Sequence, residues 1–192
     1  WKVIRIDDGP IESIEEIEEL PAGEIGELIV QGPVITTEYV TRTESNAYAK
    51  IQDDPIWHRM GDVGYLDDTG RFWFCGRKAH RVLTATGTMY TVRCEAIFNQ
   101  HPAIYRSALV GMGAAPEQIP VLIAEPWPDH RPSDKTAEER LKDELYELGQ
   151  QSELTQTIQR SHILLRDALP VDIRHNAKIF REKLKVWAES IL

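Results

Sequence analysis

The chain has little sulfur, no long apolar stretch and no excess of basic residues. Its two cysteines, Cys75 and Cys94, are too few for a disulfide framework, and neither lies in a CxxC pair. The six histidines are scattered without HxxxH spacing. The sequence therefore offers no metal-ligand pattern, and a reducing cytoplasm is the expected compartment. No run approaches the roughly 18 apolar residues of a membrane span, and the opening residues do not read as a signal peptide. A glycine-rich phosphate loop is missing too, since "GMG" at 111–113 is a strand-end turn rather than a phosphate cradle. The net charge of −9 argues against nucleic acid as a partner. Internal repeats and low-complexity linkers are also lacking.

What is present is an ordinary soluble globular composition, 42% apolar and 28% charged, over 192 residues. That length allows a buried core and one to two domains. The first residue is Trp1, directly in the strand-like "WKVIRI", so an upstream part is expected. Charge is unevenly spread. Residues 1–76 hold 6 Lys and Arg against 16 Asp and Glu, whereas residues 77–192 hold 16 against 15. The shift at Gly76-Arg77 marks a candidate boundary.

The first part reads as β: "KVIRI", then "GEIGELIVQG" with Ile25, Leu28 and Val30 alternating between glycines. The acidic "IESIEEIEELPAGE" between them reads as a solvated helical turn or surface insert. "VGYLDD" and "RFWFCG" flank a hairpin turn in which Asp68 and Gly70 are the turn residues. The second part alternates β and α: a hairpin around Gly87, a short helix at "CEAIFNQ", and strands at "SALVG", "VLIAE" and "HILL". A helix at "TAEERLKDELYELG" presents Leu141, Leu145 and Leu148, with Thr136 and Glu139 at capping-box spacing. A closing helix aligns Phe180, Leu184, Trp187 and Ile191, whose aromatic residues read as core rather than as a membrane face. The expected class is α+β, with Cys75 and Cys94 as inert small apolar residues.

Three features carry chemistry. Asp62, in "HRMGDVGYLDD", follows a glycine; its carboxylate suits a ribose diol, or serves its own turn. "GRKAHR" gathers Arg77, Lys78, His80 and Arg81, suited to sugar and phosphate oxygens or to a solubilising loop. Lys178, placed at the start of the closing helix, offers one mobile cation to an anionic substrate, or is a surface lysine.

The ordered series G-D-V-G-Y-L-D-x-x-G-R-x-x-F-x-G-R, then "HPAIYRSALVG", then A-K-(apolar)-x-R, resembles the C-terminal third of the adenylate-forming superfamily of acyl-CoA synthetases, luciferases and peptide-synthetase adenylation domains. The resemblance spans nearly the whole chain. It implies the end of a β-barrel-like large-domain portion at 1–75, a hinge at 76–79 and a small mobile α+β domain at 80–192. It further implies that Asp62 binds the ribose hydroxyls of ATP, that Phe74 lines the nucleotide, that Arg77 reaches ribose and phosphate, and that Lys178 is the adenylation lysine. ATP and Mg2+ are the implied cofactors, with the magnesium ligand expected upstream, so that the isolated chain is expected to be inactive.

Several positions depart from the common pattern. Ala79 stands where the hinge usually has Asp or Lys, Arg93 where proline is common, and Ala177 where a glycine precedes the lysine. The post-hinge spacing to Glu95 is one residue longer, and "VDIRHNAK" is two residues longer. The stretches "WHRMGDVGYLD", "WFCGRKAHRV", "CEAIFNQHPAIYRSALVG" and "VDIRHNAKIFREKL" resemble the olefin-biosynthesis β-lactone synthetases. That resemblance implies ATP-driven activation of a long-chain 2-alkyl-3-hydroxy acid and closure to a β-lactone without CoA, in assembly with other olefin-biosynthesis enzymes. The alternatives are a fatty acyl-CoA ligase and a non-catalytic nucleotide- or partner-binding module.

Overall fold

Short β-branched runs separated by glycine and proline turns make the first part of the chain a sheet, as a computed structural model of the protein shows. The structure describes residues 1–172, 174 and 178–192. Two compact units form, Trp1–Ala79 and His80–Leu192.

The first unit contains β1 (Lys2–Ile4), β2 (Gly26–Val30), a single helical turn α1 (Asn46–Ala49), β3 (Lys50–Ile51), β4 (Trp57–Leu66) and β5 (Phe72–Arg77). The strands form one antiparallel sheet in the order β1-β2-β4-β3, with β5 also on β4. Ile4, Ile29, Ile51 and Trp57 make its core. The acidic insert differs from its sequence reading. It forms a 3₁₀ turn, Ile14–Glu16, capped by Ser13, and Ile11, Ile14 and Ile17 pack on the core. Burial of three isoleucines outweighs the solvation of their acidic neighbours, because Glu18 and Glu19 stay at the surface and pair with Arg5 and Lys2.

The second unit contains β6 (Val82–Thr84), β7 (Gly87–Met89), α2 (Thr91–Phe98), β8 (Ile104–Met112), β9 (Ile119–Pro126), α3 (Lys135–Gln150), β10 (Ile163–Leu165) and α4 (Arg181–Glu189). Strands β6 and β7 form a hairpin, and β8, β9 and β10 a three-stranded sheet with β10 parallel to β9. The sheet strands are near-continuous apolar runs because both of their faces are covered. Leu109 and Leu122 join Phe98 of α2 and Leu145 of α3 on one side. Ala108, Val110 and Ile123 join Leu184 and Ala188 of α4 on the other.

Two helix boundaries differ from the sequence reading. Asp134, not Thr136, caps α3, accepting the Ala137 amide at 2.8 Å. The closing helix starts at Arg181, since Phe180 caps it with a non-helical backbone at ψ 82°, its amide donating to the Pro170 carbonyl at 2.8 Å. It ends at Glu189, so Ile191 lies beyond it and is exposed. Both cysteines are buried, and burial pushes the Cys94 thiol up to about 12. Among the described residues no helix is long and apolar enough to cross a membrane.

Candidate functional site

The β4–β5 hairpin is closed by a carboxylate. Asp67 Oδ1 accepts the amides of Thr69 and Arg71, both at 2.9 Å, and the Thr69 hydroxyl at 2.7 Å. Its Oδ2 accepts Trp73 Nε1 at 2.9 Å. These bonds, the Thr69 hydroxyl foremost, hold the Asp67 carboxyl far below the usual carboxylate range. Gly70 completes the turn at φ 77°. Asp68 lies in the turn, as the sequence indicated, and the side chain that organises it is the neighbouring Asp67.

Beyond the turn the two strands fall out of step. Asp62 faces Arg77 and Gly64 faces Phe74, so one residue separates the pairs on β4 and two separate them on β5. Arg77 and Phe74 are three residues apart and would lie on opposite faces of a regular strand. The bulge brings both to the Asp62 face. Gly64 permits this close approach, since a Cβ there would meet the Trp73 carbonyl oxygen at 2.2 Å. Gly76, at φ 139°, takes up the irregular backbone.

On that face Arg77 Nη1 donates to Asp62 Oδ1 at 2.5 Å and to the Met60 carbonyl at 3.2 Å. Among the described residues, Asp62 Oδ2 makes no hydrogen bond. Phe74 is 46% exposed. Its neighbour Trp73 instead stacks on Tyr65, with ring centroids 6.4 Å apart. A carboxylate oxygen, a guanidinium and an open phenyl ring therefore share one accessible surface. The first can accept hydroxyls, the second can donate to anionic oxygens, and the third can cover a planar group.

The rest of the cationic cluster is not a free basic loop. Lys78 Nζ lies 3.0 Å from Glu27 Oε2 and 3.0 Å from the Asp7 carbonyl. The same Glu27 oxygen accepts Arg59 Nη2 at 2.6 Å, and Arg59 Nη1 donates to the Gly9 carbonyl at 2.7 Å. Glu27 and Arg59 are fully buried. Neither was signalled by the sequence, and Lys78 spends its charge holding this network. Ala79 is exposed in the 3₁₀ turn Lys78–His80.

Lys178 belongs to the second unit and lies ahead of α4 in an extended segment, not on the helix. Its side chain is exposed. Its carbonyl accepts the Asp172 amide at 2.9 Å, and the adjacent Ile179 bridges to Val171. Arg174 pairs with Asp172 at 3.1 Å and holds that carboxyl below its ordinary value. Ala177 lies outside the described residues. Three positions after Lys178, Arg181 reaches the buried Glu95 of α2, with Nη2 3.0 Å from Oε2 and Nη1 against Oε1. Burial pushes the Glu95 carboxyl up, against the pull of Arg181. The signal for this pair was a glutamate on the apolar face of α2, beside Cys94 and Phe98. Among the described residues no group of three or more His, Cys, Asp or Glu could hold a metal ion, so no residue is assigned to magnesium.

No family model matches the chain. An olefin β-lactone synthetase of Xanthomonas campestris pv. campestris is 46% identical over 193 residues, covering 97% of this chain and 34% of the relative. One of Stenotrophomonas maltophilia is 44% identical over 198 residues, covering 100% and 34%. The chain thus spans about a third of the length of these curated relatives. Among solved structures, an ATP-bound RpMatB-BxBclM chimera matches 96% of this chain and 35% of its own, with a TM-score of 0.75 and 23% identity, a likeness of fold.

Proposed function

We propose that the chain is a C-terminal part of an adenylate-forming enzyme, as its likeness to two olefin β-lactone synthetases supports, and that the native protein is an AMP-forming ligase that makes a β-lactone. Its substrates are ATP and a long-chain 2-alkyl-3-hydroxy acid. The observation that carries the reading is the single bulged face bearing Asp62, Phe74 and Arg77.

On this reading Asp62 accepts the ribose hydroxyls, Phe74 lines the nucleotide, and Arg77 donates to ribose and phosphate oxygens. The substrate carboxylate attacks the α-phosphorus of ATP and pyrophosphate leaves. Negative charge builds at that phosphorus, and the Lys178 ammonium, exposed on an anchored backbone, stabilises it. The 3-hydroxyl then attacks the acyl carbonyl, closing a four-membered ring and releasing AMP and a proton. Magnesium, when bound, shields the phosphate charge. Ala79 serves as the pivot of the chain segment 76–79. The protein works in the cytoplasm, beside the other enzymes of olefin biosynthesis.

The test is the native full-length protein with ATP, magnesium and a 3-hydroxy acid, without CoA. Lactone, AMP and pyrophosphate are expected, and Lys178→Ala should lower the rate ~10²–10³-fold. AMP release only with CoA, giving a thioester, would make it a fatty acyl-CoA ligase. No AMP under either condition would leave a binding module. The isolated 192 residues should form no AMP; turnover by them alone would overturn this division of labour.

A further inference from the structure

We infer that Arg181 and Glu95 form a clamp that positions Lys178 for reaction. The inference rests on the reading of Lys178 given above and adds two positioning residues to it. Arg181 is the first residue of α4, three positions beyond the lysine. Its guanidinium meets both oxygens of Glu95 and also donates from Nη1 to the Leu109 carbonyl at 3.0 Å. Glu95 Oε1 in turn accepts the Leu109 amide at 2.7 Å. Both backbone groups of one residue in β8 are thereby used, and α2, β8 and α4 are tied at a single point.

The geometry leaves the Lys178 backbone little freedom on its C-terminal side. Ile179 is bridged to Val171, the Phe180 amide is held by Pro170, and Arg181 is held by the clamp. The two side chains are 14% and 9% exposed, so water does not readily replace either partner. A planar fork matched to a carboxylate fixes direction as well as distance, which a single ammonium does not. A displacement of about 1 Å at a reacting group costs roughly 10² in rate. Loosening the clamp should therefore be read at Lys178 rather than at the nucleotide-binding face.

The experiment uses the native full-length protein and the rate of acyl-adenylate formation, with four variants: Lys178→Ala, Arg181→Lys, Glu95→Gln and Lys178→Ala combined with Arg181→Lys. Arg181→Lys and Glu95→Gln keep a hydrogen-bonding partner in place and should remain folded by circular dichroism. Each should lower kcat by about 10²-fold while KM for ATP stays within about twofold. The double variant should be no slower than Lys178→Ala alone, because Arg181 acts only through the lysine. Losses that multiply, or a folded Arg181→Lys or Glu95→Gln protein with unchanged kcat, would overturn the clamp. Should one of the two variants unfold, the other decides alone. If Lys178→Ala itself forms adenylate at the normal rate, the reading of Lys178 fails and the clamp loses its purpose. That outcome is distinct from a clamp that fails beside an essential lysine.

Discussion

Two arginine–carboxylate pairs, one in each unit, have closest contacts of the same length, 2.5 Å, and opposite surroundings. In Arg77–Asp62 the side chains are 54% and 21% exposed, whereas in Arg181–Glu95 they are 14% and 9% exposed. An exposed pair is worth ~0–1 kcal/mol because water and salt screen it. A ligand can therefore take over its oxygens at little cost. Breaking a buried pair strands a charge and costs ~3–5 kcal/mol. The first arrangement suits recognition and the second suits anchoring, so the same chemical pair serves two ends by burial alone.

Removing one partner matters most in the buried pair of the second unit. Arg181→Ala should remove ~3–5 kcal/mol of amide-exchange protection across α2, β8 and α4. Protection within ~1 kcal/mol of the parent would show that the pair does not anchor these elements. Gly64→Ala comes next. The added Cβ cannot sit 2.2 Å from the Trp73 carbonyl oxygen, so β4 and β5 must shift. A loss of about 1–3 kcal/mol in their protection is expected, with weaker ATP binding as Phe74 leaves the Asp62 face. Unchanged ATP affinity in a shifted hairpin would separate the bulge from nucleotide recognition.

Asp62→Asn acts on the exposed pair instead. It should change β4–β5 protection by less than ~1 kcal/mol, as an exposed pair does. The KM for ATP should nonetheless rise roughly tenfold or more, because hydrogen bonds to a charged acceptor are worth about 1.5–3 kcal/mol. A large stability loss with ATP affinity intact would make Asp62 a structural residue of its turn.

The two surroundings were unequally legible in the sequence. The α+β class followed from period-two alternation in the first unit and from apolar runs alternating with helical periodicity in the second. Asp62, Phe74 and Arg77 could each be named, yet their shared face could not. The bulge that creates it depends on a cross-strand approach at Gly64, and a single strand's pattern carries no such information. The Glu27 network was equally hidden, since its partners lie 32 and 51 residues apart in the chain. Burial of a charged residue is set by what packs on it, and local composition says only that Glu27 and Arg59 are charged. On the closing helix Leu184 and Trp187 were legible as core, whereas Phe180 precedes the helix and Ile191 lies beyond it, exposed, because local periodicity does not mark where a helix begins and ends.

The smallest expected effect belongs to a third arginine, at the surface of α3. Arg160 pairs with Glu139 at 2.7 Å and with Asp143 at 2.5 Å, and all three side chains are more than a third exposed. Both carboxyls are held below their ordinary values, in each case chiefly by the hydrogen bond from Arg160. A depressed carboxyl stabilises the fold above its unfolded value and loses that contribution as pH falls through the folded one. Arg160→Ala should therefore lower the thermal midpoint slightly at pH 7, and the gap from the parent should close as pH falls below about 4. High salt should narrow the gap at pH 7 as well, because exposed charges are screened. A gap that persists unchanged in acid would mean that the arginine acts there through packing of its stem, and that even an exposed pair in this protein is held by more than charge.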